Sequence, residues 1–149
     1  MPMQNEVEYG SLREKIAAES AVRKANGAKF EAAYNKAAAA GKAAGEAVVP
    51  RPMVVQQRAG VFGGAVVQDW FESEGLCGFA WVNVSPGNSP FANWLKKNKL
   101  ARKAYAGGVD IWISAFGQSS ERKEACARAM AKVLVDELGV SAYADSRLD

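Results

Sequence analysis

Histidine is absent from the 149 residues of this chain. The chain therefore lacks the commonest general base and metal ligand, and it cannot build a Ser-His or Cys-His nucleophile arrangement. Two cysteines are present, Cys77 and Cys126, and their spacing matches no metal-binding motif. We expect a protein that is not an enzyme and that has no catalytic residues, cofactor or metal. Both cysteines lie in apolar segments, so we expect them to be reduced and buried.

Long apolar runs are also missing. No segment approaches the roughly 20 apolar residues that a membrane span needs, and the first residues, MPMQNEVEYG, contain no apolar signal core. A hydrophobic fraction of 49% is nevertheless enough for one domain with a core. The net charge of +3 is compatible with an anionic partner. These features predict a cytoplasmic protein with no membrane partner.

Residues 1–50 form an Ala- and Gly-rich helical arm. Ser11 is a candidate N-cap, and Gly27 is a candidate break before a second helix. The second helix carries a stripe of mostly small residues, namely Phe30, Ala33, Tyr34, Ala37, Gly41, Ala44 and Gly45. Small side chains let another backbone approach closely, so we expect a helix–helix contact, either within the chain or in a homo-oligomer. The alternative is an arm that orders only on a partner.

Prolines and glycines in residues 51–64 predict an extended linker. Residues 65–149 then show strand and helix patterns in the order β-β-α-β-α-β, and we expect the first two strands, 65–71 and 77–84, to pair as a hairpin. The last helix ends near residue 138 and is followed by a short strand, 140–144. We predict an α+β fold: a two-layer sandwich of a small, mostly antiparallel sheet with a long C-terminal helix.

Two strand patterns, CGFAWVNV (77–84) and VDIWISAF (109–116), each have one aliphatic face and one aromatic-polar face. The long helix has an aliphatic stripe, so the aliphatic faces should pack against it. Phe79, Trp81 and Trp112 should then share the opposite face. Because exposed aromatic patches are costly, we expect the short helix or the arm to cover this face; the alternative is a recognition surface.

The segment KKNKLARK (96–103) is the densest cluster of positive charge, and it is flanked by two aromatic residues. Such a segment can neutralise phosphates while the rings stack on bases, although a charge run is also what a solvated helix end looks like. The predicted binding residues are Trp94, Lys96, Lys97, Lys99, Arg102, Lys103 and Tyr105, with Trp81 and Trp112 from the sheet.

Residues 77–84 resemble the aromatic central strand of RNA-recognition domains, which presents rings for base stacking. Residues 78–82 match the pattern, with Trp81 in place of a phenylalanine. Cys77 and Val84 depart from it, at the usual basic residue and at the second exposed ring. No strand with the partner aromatic motif precedes a helix, so the chain is not assigned to that family.

The runs GFAWVNVSPGNSPFANWLKK, GGVDIWISAFGQSSERKEA and YADSRLD resemble small uncharacterised proteins of tailed bacteriophages and prophages. The resemblance carries no motif of known chemistry and implies a location in the bacterial cytoplasm. Together these features predict a non-catalytic phage-type binding protein whose basic-aromatic surface engages nucleic acid or a nucleoprotein. The alternatives are a protein-binding inhibitor of a host defence system and a minor virion structural protein.

Overall fold

A computed structural model describes the backbone of residues 3–60 and 63–149, and the side chains of residues 11–60 and 63–149. In chain order the elements are α1 (Met3–Ala47), β1 (Met53–Arg58), β2 (Val66–Glu72), β3 (Gly78–Ser85), α2 (Pro90–Lys97), β4 (Arg102–Lys103), β5 (Val109–Trp112), α3 (Ser120–Leu138) and β6 (Ser141–Leu148). The fold is α+β, as predicted. No helix within these ranges combines the length and the apolar character that crossing a membrane requires.

The main sheet has four strands in the order β4-β5-β3-β6, and each neighbouring pair is antiparallel. From β3 onward the elements follow as β-α-β-β-α-β, which is the split βαβ arrangement of ferredoxin-like domains. In this arrangement β3 and β5 are the two central strands. Their positions matter for the functional site, because side chains on central strands lie in the middle of the sheet surface.

The core lies between one face of the sheet and the helices. Ala80, Val82 and Val84 of β3 are fully buried, and they pack in one cluster with residues of α2 and α3 such as Leu95 and Leu134. Each fully buried valine or leucine side chain of this cluster contributes about 1.5–3 kcal/mol. The prediction that the aliphatic strand faces meet the long helix is confirmed.

Capping residues define the ends of the two shorter helices. The Ser119 hydroxyl accepts a hydrogen bond from the backbone N–H of Arg122 at the start of α3, and Gly139 ends the helix in the left-handed conformation with φ 63°. Ser89 caps α2 in the same way, with Pro90 at the first helical position. These caps set the first residue of both helices and the last residue of α3.

The arm is a single helix, so the predicted cap at Ser11 and break at Gly27 are wrong. One glycine costs a helix only about 1 kcal/mol, and the Ala, Glu and Lys residues around it are strong helix formers. Residues 11–26 are all exposed and extend the helix beyond the core. The second half packs against α3 and α2, which confirms the predicted helix–helix contact within the chain.

Two glycines allow α1 to pack closely against the rest of the domain. A Cβ atom at Gly41 would meet the side chains of Met130 and Cys126, and one at Gly45 would meet the ring of Phe116. The small-residue stripe of α1 is therefore the docking surface for the rest of the domain. The Lys36 ammonium and the Glu137 carboxylate form an ion pair beside it.

The strand pairing near the linker differs from the prediction. A strand, β1, lies within residues 51–64, and it pairs with β2 to form a separate two-stranded sheet. The predicted hairpin between 65–71 and 77–84 is therefore wrong. β6 also continues to Leu148, beyond the predicted end at residue 144, and pairs along the whole of β3.

Candidate nucleic-acid interface

The second face of the main sheet is open. Phe79 and Trp81 project from β3 and Trp112 from β5, and all three side chains are partly exposed. The helices lie on the opposite, aliphatic face, where α1 contacts α3 and α2. The expectation that the arm or the short helix covers the aromatic face is wrong, because the small-residue stripe of α1 fits the helix side instead.

The three rings form one contiguous surface, which we call the aromatic face. Trp81 and Trp112 are cross-strand partners with ring centroids 4.8 Å apart and an interplanar angle of 36°. Phe79 meets Trp112 edge-on at 6.2 Å. Rings that pack against one another in this way partly bury each other without any cover, and all three keep some exposed surface.

Cationic side chains border the aromatic face. The Arg102 guanidinium lies 5.7 Å from the Trp112 ring centroid, and the Arg147 guanidinium lies 5.3 Å from that of Phe79. The Lys123 side chain is buried, and its ammonium is 5.5 Å from the same Phe79 ring. The two arginines are exposed, and a cation–π contact at an exposed site is worth about 0.5–1 kcal/mol, so a ligand can exchange with them.

Carboxylates are present as well. Asp110 lies opposite Arg102 in the β4–β5 pair, and Asp145 lies opposite Trp81 in the β3–β6 pair. Neither carboxylate forms an ion pair within 4.0 Å among the described residues. The face therefore has only a modest excess of positive charge, and the rings are its dominant chemical feature.

A buried asparagine holds one end of the face. The Asn83 side-chain nitrogen donates to the Asp110 carboxylate at 2.8 Å and to the Gly107 carbonyl at 3.0 Å. Gly108, with φ 72°, leaves no room for a side chain against Asn83. This network fixes the β4–β5 turn, at whose tip the predicted binding residue Tyr105 is fully exposed.

The predicted basic segment is divided by the fold. Arg102 reaches the aromatic face, and Lys99, with φ 58°, lines a cavity beside Trp112. Lys96 and Lys97 are exposed in the last turn of α2, on the helix side of the sheet. Lys103 is exposed and lies opposite the buried Val109, so it also belongs to the helix side.

Trp94, a predicted base-stacking ring, packs on the helix side of the sheet and not on the aromatic face. Its ring stacks on Phe91 with centroids 5.9 Å apart and also contacts Phe30 and Tyr34 of α1. The physical reason is that Trp94 shares the apolar face of α2 with the buried Phe91 and Leu95. It therefore faces the arm.

Three residues of the face were not among the predicted binding residues: Phe79, Lys123 and Arg147. The pairing of Phe79 with Arg147 depends on the full length of β6, and the alternation in SAYADSRL was the available signal. Lys123 lies in the first turn of α3, close to the start of β3. No local pattern marks that proximity.

The two cysteines have different environments. Cys126 is buried, and burial raises the pKa of its thiol. Cys77 is exposed at the start of β3, so the prediction that both thiols are buried is wrong for this residue. Among the described residues no group of three His, Cys, Asp or Glu side chains is arranged to bind a metal ion.

Searches of protein-family models, of curated proteins and of solved structures find no match to this chain. Its function is therefore inferred from the geometry of its own residues.

Proposed function

We propose that the protein binds single-stranded nucleic acid on the aromatic face of its main sheet. The observation that carries this proposal is the exposure of Phe79, Trp81 and Trp112 on the two central strands, with cations at the border. Aromatic side chains stack on unpaired bases of any sequence, and each stacked base is worth about 1–3 kcal/mol. Bases within a duplex are not available for such contacts.

The layout is the one that RNA-recognition domains use. Those domains stack two or three bases on the rings of a four-stranded sheet. This chain has the same strand number and an open aromatic face, but β3 is the first strand of its β-α-β-β-α-β unit. The analogy concerns architecture, and a fold alone does not determine function.

Arg102 and Arg147 would contact phosphates as the strand crosses the sheet. Both are exposed, and they lie at different borders of the aromatic face, because Arg102 is on β4 and Arg147 on β6. Each neutralised phosphate of a single strand contributes about −0.7 to the slope of log K against log salt concentration. With two contacts the slope is about −1.4, a modest salt dependence.

Fluorescence anisotropy with a labelled 15-nucleotide DNA or RNA tests the proposal at low and moderate salt. We expect the single strand to bind more tightly than the matching duplex. The double variant Arg102→Gln/Arg147→Gln should weaken binding and reduce the salt slope by about 1.4. The control Arg128→Gln/Lys132→Gln removes the same charge from the exposed side of α3 and should bind like the wild type.

Absence of single-strand binding at low salt contradicts the proposal. Equal losses in the two double variants also contradict it, since the interaction would then depend on total charge and not on the aromatic face. Circular dichroism of each variant shows whether the fold is retained. The bacteriophage origin expected from the sequence is independent of this result.

The second candidate function is self-association through the β1–β2 hairpin. The two alternatives from the sequence, an inhibitor of a host defence system and a minor virion protein, both need a protein interface of this kind. Val54, Val55, Val67, Trp70 and Phe71 are all exposed on this two-stranded sheet. An isolated two-stranded sheet is marginally stable, and three or more strands are needed for independent stability. Pairing with the hairpin of a second copy would supply them.

The charges on the two strands indicate which strand of the hairpin would pair with a second copy. The β2 strand carries Asp69 and Glu72, which would repel their copies across a two-fold axis, whereas β1 carries one cation, Arg58, and no acidic residue. We therefore assign the contact to two antiparallel β1 strands. Residues 11–26 of the arm are exposed and form a second surface through which two copies of the chain can associate.

Light scattering coupled to size exclusion tests this candidate over a range of protein concentrations. We expect a dimer that Gln56→Glu/Gln57→Glu in β1 dissociates at low salt and that high salt restores. The control Gln68→Glu in β2 should remain dimeric. A monomer at every concentration contradicts the candidate, and dissociation by the control assigns the contact to another edge.

A further inference from the structure

A cavity of about 190 Å³ adjoins the aromatic face between β4 and β5. It is lined by Trp112, Arg102, Asp110 and the Lys99–Ala101 segment before β4. The lining therefore includes one aromatic, one acidic and two basic residues. This combination offers a stacking surface together with hydrogen-bond acceptors and donors at its edge.

The carboxylate of Asp110 is held in a fixed orientation. Its Oδ1 accepts the 2.8 Å hydrogen bond from the side-chain nitrogen of the buried Asn83, which in turn is tied to the Gly107 carbonyl. Its Oδ2 has no hydrogen-bond partner among the described residues. A fixed, unpaired acceptor therefore stands at the wall of the cavity, where it can select a ligand that donates a proton.

Arg102 supplies the complementary donors. It lies directly opposite Asp110 in the strand register, yet its guanidinium packs over Trp112 and forms no ion pair with the carboxylate within 4.0 Å. Since a stacked base is worth more than an exposed cation–π contact, a base can replace the guanidinium on the ring. The released guanidinium then has five N–H donors, enough for the phosphate contact proposed above and for the acceptors of that base.

We infer that this cavity is a nucleobase pocket that prefers cytosine to thymine or uracil. The exocyclic amino group of cytosine would donate to Asp110 Oδ2, its ring would stack on Trp112, and its N3 and O2 atoms would accept from Arg102. Thymine and uracil present a carbonyl oxygen where cytosine has the amino group, and an oxygen facing a carboxylate is repelled. This inference rests on the proposed single-strand binding and adds base selectivity to it.

Anisotropy titrations with dC15 and dT15, supplemented by the matched RNA pair, test the inference. A bidentate or carboxylate–amino contact discriminates between bases by about 1–3 kcal/mol, so we expect dC15 to bind about tenfold or more tightly than dT15. The variant Asp110→Asn keeps an oxygen to accept from Asn83 and places an amide donor where Oδ2 was. It should abolish the preference for dC15 or reverse it towards dT15.

The matched control is Asp145→Asn, which removes the same charge from the same sheet face, where the carboxylate is exposed on β6. This control should retain the preference for dC15. Equal binding of dC15 and dT15 by the wild type overturns the base pocket but leaves single-strand binding intact. Failure to bind either oligonucleotide overturns both, so the two results are distinguishable. A preference that both variants change equally is electrostatic and also overturns the pocket.

Discussion

Gly41 provides a sharp test of the packing between α1 and α3. A Cβ atom there would lie 2.6 Å from Met130 Cγ, 2.8 Å from Cys126 Sγ and 3.0 Å from the Cys126 carbonyl oxygen. The carbonyl belongs to the α3 backbone, so the two helices would have to separate slightly. Overpacking of this kind costs about 1–3 kcal/mol.

The intrinsic helix propensity acts in the opposite direction. Replacing a helical glycine by alanine gains about 1 kcal/mol, so Gly41→Ala should be net destabilising by about 1 kcal/mol. Gly27→Ala is the matched control in the same helix, because its Cβ would meet only Trp94 Nε1 at 3.9 Å. It should stabilise by about 1 kcal/mol, so the difference of about 2 kcal/mol between the variants isolates the packing effect.

Urea denaturation measures this difference. With an m-value of about 2 kcal/mol/M, the midpoints of the two variants should differ by about 1 M. An equal m-value in both variants would show that the substitutions leave the compactness of the native and denatured states unchanged. If Gly41→Ala stabilises the protein as much as Gly27→Ala does, the close approach of α1 to α3 is refuted.

Three further predictions concern buried polar groups and thiols. Asn83→Ala should lower the free energy of unfolding by about 1–3 kcal/mol in urea titrations, since two hydrogen bonds of the buried Asn83 side chain are lost; a change within error contradicts the network. A thiol reagent should modify Cys77 in the native protein and Cys126 only after denaturation, and rapid labelling of both contradicts the burial of Cys126. Burial raises the pKa of Tyr34, with a further contribution from Cys126, and burial also raises the pKa of Cys126. The stabilisation from the protonated Tyr34 and Cys126 side chains is therefore complete below their ordinary pKa values and is lost as the pH rises through their raised pKa values. Alkaline pH should thus lower the free energy of unfolding of the wild type more than that of Tyr34→Phe. Equal losses in the two proteins contradict this prediction.

Local patterns predicted the elements of the main domain well. Alternation placed the aliphatic face of β3, with Ala80, Val82 and Val84, against the helices, and the end of α3 falls at residue 138 as predicted. These features depend on side chains close in sequence, which is why a single sequence reveals them. The small-residue stripe of α1 was also predictable, because its residues recur at the spacing of one helix face.

The positions of the elements relative to one another in space were harder to predict from the sequence. Whether the aromatic face is open depends on where a 45-residue helix docks, and the sequence pattern allowed either face of the sheet. Trp94 illustrates the difficulty, because a tryptophan beside a run of lysines suits both a binding surface and a packed helix. Arg147 and Lys123 join the face only through strand register and helix position, which no local pattern specifies.

The most direct test of the proposed function compares tryptophans on and off the aromatic face. Trp81→Leu and Trp112→Leu remove rings from the face, whereas Trp70→Leu removes an exposed ring from the hairpin. The measurement is the Kd of each variant for a labelled single-stranded 15-mer at fixed salt. We expect each variant of the face to raise the Kd about tenfold, with Trp70→Leu unchanged. Unchanged binding by folded Trp81→Leu and Trp112→Leu would contradict the assignment of the aromatic face as the nucleic-acid interface.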